Sequence, residues 1–278
     1  MGFLSNEIAV FKTDMRFPDT LSYKRSEDYY YGMRKAFDDA FNQYARRSKL
    51  SYASNKDELI KPILECIFNY LNSNDKCFNQ CFSYCIQKSM QIMNNQRFGL
   101  AQKFVNMSFK YMMCFSDSKE ISNKFKDCHL PLDKYTIKWV RSFRNKEINK
   151  KLDTIKNAWA NIDEDLYNTI QNFAKEQLSN NIQYTISFSN SAQNKTCTLP
   201  AERLSAEFII WHQEKINELH NILEKSKSDF ERLGIKQIVG ISLFVCSITV
   251  AIGALIYDSV AKPETKFMNS TLFWEISV

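Results

Sequence analysis

The sequence predicts an all-α protein: a multi-helix globular cytosolic domain (1–199), an amphipathic stalk helix (200–236), one C-terminal transmembrane helix (237–258) and a short tail (259–278). Three observations carry that expectation. Only six glycines and five prolines punctuate 278 residues, too few turn formers for a β-rich or doubly wound fold. Apolar residues recur at helical spacing along most of the chain. Finally, "IVGISLFVCSITVAIGALIY" (238–257) is twenty residues without a charge, about 30 Å of helix and so about one hydrocarbon core in length. With 44% hydrophobic and 24% charged residues, the rest reads as an ordinary folded domain.

Residues 1–21 read as irregular. "SEDYYYGMRKAFDDAFNQYARR" opens on Ser26 in a capping position, with acids in its first turn, and closes on arginines, the charge order a helix dipole favours. "NKDELIKPILECIFNYL" starts from Asn55 as a cap and carries Pro62 early enough to be tolerated or to bend the helix. "NDKCFNQCFSYCIQKSMQIM" gives a third helix, in which Cys77, Cys81 and Cys85 share one face. "RFGLAQKFVNMSFKYMM" supplies the fourth helix and "DKYTIKWVRSF" the next. In "IDEDLYNTIQNFAKEQL", the residues Ile162, Leu166, Ile170, Phe173 and Ala174 form an amphipathic set. "NNIQYTISFSN" (180–190) alternates like one short strand, and "SAQNKTCTLP" is a polar loop and an internal boundary.

After Pro200, Ile216, Leu219, Leu223, Ser226, Phe230 and Leu233 step 3, 4, 3, 4, 3. That is a coiled-coil-like seam of about two heptads, open to homo-oligomerisation or to packing on its own domain. Lys225, Lys227, Arg232 and Lys236 precede the uncharged run, while Lys262 and Lys266 follow it. The excess of positive charge before the run puts the large N-terminal domain on the cytoplasmic side of a single-pass membrane protein. The start "MGFLSNEIAVFKTD" reads as neither a secretory leader nor a myristoylation signal.

Composition also excludes several chemistries. Between Gly2 and Gly234 the only glycines are Gly32 and Gly99, so neither a P-loop nor a GxGxxG turn is present to cradle phosphates. The eight cysteines read as reduced, and the Cys77, Cys81, Cys85 stripe as small apolar core residues, since a metal there lacks a fourth ligand. Cys114, Cys128 and His129 are scattered ligands and do not suggest zinc. His212 and His220 read as surface residues, and three histidines leave few candidates for acid–base work. No metal or other cofactor is expected.

The distinctive feature is a basic block. Residues 97–151 hold thirteen Lys and Arg against five acids, a net +8, whereas the whole chain is +6. Such asymmetry suits a polyanion, because each neutralised phosphate releases counterions. Phe104, Phe109, Tyr111, Tyr135, Trp139 and Phe143 are interleaved with it. Nucleic acid and anionic lipid headgroups are the candidate partners, with a merely solvated face as the plain alternative. On that plain reading Lys103 and Lys110 mark the solvent side of their helix, and Asp133 caps the helix that follows it.

"FGLAQKFVNMSFKYM" followed by "LPLDKYTIKW" resembles the helix-hairpin-helix DNA glycosylases of base-excision repair. In that family a Gly-containing hairpin leads into a helix bearing the lyase lysine, and an apolar–Pro–apolar–Asp loop supplies the catalytic aspartate. The resemblance implies Lys103 as Schiff-base nucleophile, Asp133 as the carboxylate that stabilises positive charge at the sugar, and Gly99 as the hairpin mark. It implies nucleic-acid contacts from Arg97, Gly99, Lys110, Lys134, Lys138, Arg141 and Arg144. The same block, with "CHLPLD" and "AEFIIW", also looks like a group of uncharacterised bacterial proteins. The rival expectation is a non-enzymatic membrane effector, as in bacterial defence, acting through oligomerisation of stalk and span.

Overall fold

The computed structural model describes residues 3–17, 26–48, 56–73, 77–93, 97–115, 123–156, 158–186, 195–232 and 248–253. Its elements run α1 (Phe3–Asp14), α2 (Ser26–Ser48), α3 (Lys56–Leu71), α4 (Phe78–Met93), α5 (Phe98–Met113), α6 (Lys134–Ser142), α7 (Lys146–Thr154), a 3-10 turn (Trp159–Asn161), α8 (Glu164–Ser179), β1 (Gln183–Ile186), β2 (Lys195–Thr198) and α9 (Arg203–Arg232). The body is therefore all-α, as the scarcity of turn residues predicts. A compact unit spans Gly2–Ile216, and a second comprises Asn217–Val278 with Met1.

Every residue of α5 from Gly99 to Met113 is buried. A helix closed off on all sides must be enclosed by others, and α5 packs chiefly on α2, with α4, the 3-10 turn and α8 also against it. The α2 face that meets this core is Tyr29, Met33, Ala36, Phe37, Ala40 and Phe41, which lie on one stripe at helical spacing. Phe37 and Phe41 set their rings 5.7 and 5.9 Å from Phe104. At Gly99 the 3-10 turn comes close against α5. A Cβ there would collide with the backbone of Trp159 and Ala160, so only glycine lets the 3-10 turn lie on the helix.

Three local expectations change. Residues 3–14 are helical rather than irregular, because tertiary packing overrides weak local signals: Phe11 sits edge-on to Phe208 and Trp211 at 5.2 and 5.0 Å. The alternating segment has a partner, since β1 pairs antiparallel with β2 from Gln183–Thr198 to Ile186–Lys195. The polar loop thus supplies the second strand of a hairpin. The start of the expected stalk is core: Leu204, Ala206, Phe208, Ile209, Ile210 and Trp211 are buried. Among the described residues no helix is long and apolar enough to cross a membrane. Of the uncharged run 238–257 only 248–253 are described, and they are helical; the rest of the expected span and the tail lie outside the described residues.

Candidate functional site

The densest positive charge lies on α6, α7 and the turn between them. Residues 134–151 hold seven Lys and Arg against one acid, Glu147. Both helices are strongly amphipathic. Ile137, Trp139 and Val140 of α6 and Ile148 and Leu152 of α7 are buried, which leaves the basic residues on the outer faces. The turn closes through Arg144 at φ 54°, a left-handed conformation uncommon for a residue with a Cβ. Asn145 then caps α7 by accepting from the Ile148 N–H at 3.0 Å.

Part of this charge is neutralised internally. Lys138 pairs with Glu214 at 2.5 Å, Arg141 with Asp153 at 2.6 Å and Lys151 with Glu147 at 3.1 Å. Arg144, Lys146 and Lys150 are exposed, and among the described residues none of the three has a carboxylate within ion-pair distance. Lys134 is exposed and lies over the Tyr135 ring at 4.5 Å. Of the aromatics here, Trp139 is buried against Phe143 at 5.0 Å, Phe143 meets Phe173 at 5.6 Å, and Phe143 and Tyr135 are half-buried. The face offers mainly charge, with little ring surface on which unpaired bases could stack.

The resemblance-based residues fall elsewhere. Lys103 and Lys110 are buried, which corrects their reading as the solvent side of α5. The Lys103 Nζ donates to the Asp39 carbonyl at 3.2 Å and lies 4.5 Å from the centre of the Trp159 ring. The Lys110 Nζ lies 2.5 Å from Glu207, itself buried, and is walled by Phe11, Phe208 and Trp211 at 3.8, 4.9 and 5.3 Å. The two side chains form a closely spaced ion pair closed off from water. Charge and cation–π attraction hold the pair. Burial still pushes the Glu207 carboxyl up to about 7, with Lys110 opposing the shift.

Asp133 is an N-cap. Its carboxylate accepts from the Tyr135 and Thr136 N–H groups at 2.8 and 3.0 Å, while Thr136 Oγ1 accepts from the Asp133 N–H at 2.8 Å. This reciprocal box starts α6. No hydrogen bond or ion pair joins Lys103 to Asp133 among the described residues.

The loop before Asp133 is held by two buried glutamines that act as short strands. Gln171 accepts from the Leu130 N–H at 3.0 Å and donates to its carbonyl at 2.6 Å. Gln102 accepts from the Leu132 N–H at 3.3 Å and donates to its carbonyl at 3.1 Å. Pro131 falls between them, where no donor is needed. Asn106 donates to Gln102 Oε1 at 3.1 Å and to the Tyr167 hydroxyl at 2.9 Å. That hydroxyl is hydrogen-bonded to His129 Nδ1 at 2.8 Å. Burial, with Arg203 nearby, lowers the His129 pKa from 6.5 to about 3, so the ring is held neutral.

The chain matches no protein-family model, no curated protein and no solved structure. Two groupings escape a reading of the sequence. Glu207 lies 97 residues from its partner Lys110, and only its place amid "SAEFII" on an otherwise apolar face hints at burial. Cys66, Cys81 and Cys85 converge across two helices, whereas sequence spacing groups Cys77 with the last two.

Proposed function

We propose that this chain is a membrane-tethered helical protein whose cytoplasmic body binds the phosphate backbone of nucleic acid through the outer face of α6 and α7. The observation that carries the reading is the run of seven basic residues against one acid over 134–151, with Arg144, Lys146 and Lys150 exposed and outside the internal ion pairs. With Trp139 buried and Tyr135 and Phe143 half-buried, the face favours contact with phosphates over base stacking, so binding is sequence-independent and driven by counterion release. The uncharged run 238–257 supports the tether, and the flanking lysines support the orientation. Base-excision chemistry is not part of this reading. Lys103 is engaged by Asp39 and Trp159, and the Asp133 carboxylate by its own helix.

Duplex binding measured across a range of salt tests the proposal. Affinity is expected to fall linearly with log salt. Replacing Arg144, Lys146 and Lys150 together by glutamine is expected to flatten that slope by about 3, at about 0.9 per lost phosphate contact, with helicity unchanged. An unchanged slope would remove the assignment. Binding to anionic vesicles that duplex does not compete away would transfer the face to lipid headgroups.

A further inference from the structure

Cys66 on α3 and Cys81 and Cys85 on α4 bring three sulfurs within 4.8 Å of one another. Cys81 and Cys85 are one turn apart on one face of α4, and the packing of α3 on α4 sets Cys66 against them, with 3.2 Å between the Cys66 and Cys81 sulfurs. None of the three is in a disulfide. Cys81 and Cys85 are buried and Cys66 is half-buried, so the cluster has one side open to entry. With metal–sulfur bonds of about 2.3 Å, three sulfurs around one ion sit about 4 Å apart. The observed spacing is close enough that small rotations of the side chains reach it.

We propose that Cys66, Cys81 and Cys85 form a three-thiolate site for a soft d10 cation, specifically Cu(I) in trigonal coordination. The donor set selects the ion. Thiolate sulfur favours Cu(I) and Zn over the harder divalent ions, and structural zinc wants a fourth protein ligand, which this cluster does not contain among the described residues. Binding replaces three S–H bonds with three Cu–S bonds and releases three protons to solvent, with no change of copper oxidation state.

The test is anaerobic titration of the reduced full-length protein with Cu(I) against a competing Cu(I) chelator, read by bound copper and by X-ray absorption. One copper per chain with three sulfur neighbours is expected, with affinity rising with pH. Cys66→Ala and Cys85→Ala are each expected to lose it, and Cys77→Ser, an exposed thiol on the same stretch, to keep it. Circular dichroism checks that each variant folds. Complete transfer of copper to the chelator, nitrogen or oxygen neighbours in the absorption spectrum, or equal retention by folded Cys66→Ala would each overturn the site. So would zinc held as tightly as Cu(I), or a Cys66–Cys81 disulfide as the resting state.

Discussion

Helix α5 and the pair α6–α7 carry lysines at similar helical spacing and put them to opposite uses. Lys103 and Lys110 lie seven residues apart on α5 and are buried, while Lys146 and Lys150 lie four apart on α7 and are exposed. A lysine is expensive to bury unless its charge is answered, and the answers differ within α5 itself. Lys103 receives a carbonyl and an aromatic face; Lys110 receives a carboxylate and three aromatic rings. On α7 water provides the solvation and the charge stays available to a partner. Net charge summed over the basic block therefore overstates the surface, because Lys103 and Lys110 face inward.

The sharpest way to break this contrast is to remove one inner charge. Lys110→Met leaves Glu207 buried without a counter-charge, and one-sided removal of a buried pair costs about 3–5 kcal/mol. The lower end is expected, because Glu207 can take up a proton. Adding Glu207→Leu should recover most of the loss, since an apolar replacement of both partners is often neutral. Urea unfolding of the two singles and the double reads the coupling directly. A single-substitution loss no greater than that of an exposed lysine would show that the pair is not closed off from water.

Acid should act on the polar network around α5 next most strongly. The pKa of His129 is lowered from 6.5 in the unfolded chain to about 3, so its contribution is fully present above 6.5. That contribution is lost as pH falls from 6.5 towards 3, at up to about 1.4 kcal/mol per pH unit. Glu207 runs the other way. Its carboxyl is raised from 4.5 to about 7, so its contribution is full below 4.5 and fades as pH rises towards 7. The two partly cancel between 4.5 and 6.5, and wild-type stability alone would conceal both. His129→Gln keeps a polar partner for Tyr167 and removes one limb. The gap between variant and wild type should shift in favour of the variant as pH falls from 6.5 to 4.5. A gap independent of pH would mean that His129 titrates normally.

Much of this architecture was legible in the sequence because helical periodicity and the shortage of glycine and proline are local signals. The apolar stripe leading into and along α8 and the capping role of Asp133 were readable in the same way: Ile162, Leu166, Ile170 and Ala174 are buried, and the cap lies next to the helix it starts. The interior of α5 was not. Lys103, Asn106 and Lys110 along one side look like a solvated face, and only distant partners reverse that reading: Asp39 on α2, Tyr167 on α8 and Glu207 on α9. The helix at 3–14 escaped for the same reason, since Phe11 is held by Phe208 and Trp211. The Cys66 thiol is separated from Cys81 by a helix connection that no spacing rule spans.

The smallest expected effect separates the cap from the charged face beside it. Asp133→Ala removes acceptors from two backbone N–H groups at the start of α6, a change worth about 1 kcal/mol in comparable caps. Lys146→Gln, just beyond the far end of the same short helix, removes an exposed charge and should alter stability by less than about 0.5 kcal/mol. Binding should rank them in reverse: Lys146→Gln weakens salt-dependent association with duplex, whereas Asp133→Ala leaves its salt slope unchanged because no phosphate contact is lost. The cap matters to binding only through the position of α6, so any loss it causes should vanish once the fraction folded is taken into account. If Asp133→Ala flattened the salt slope while Lys146→Gln did not, the division between a structural interior and a binding exterior would be drawn in the wrong place.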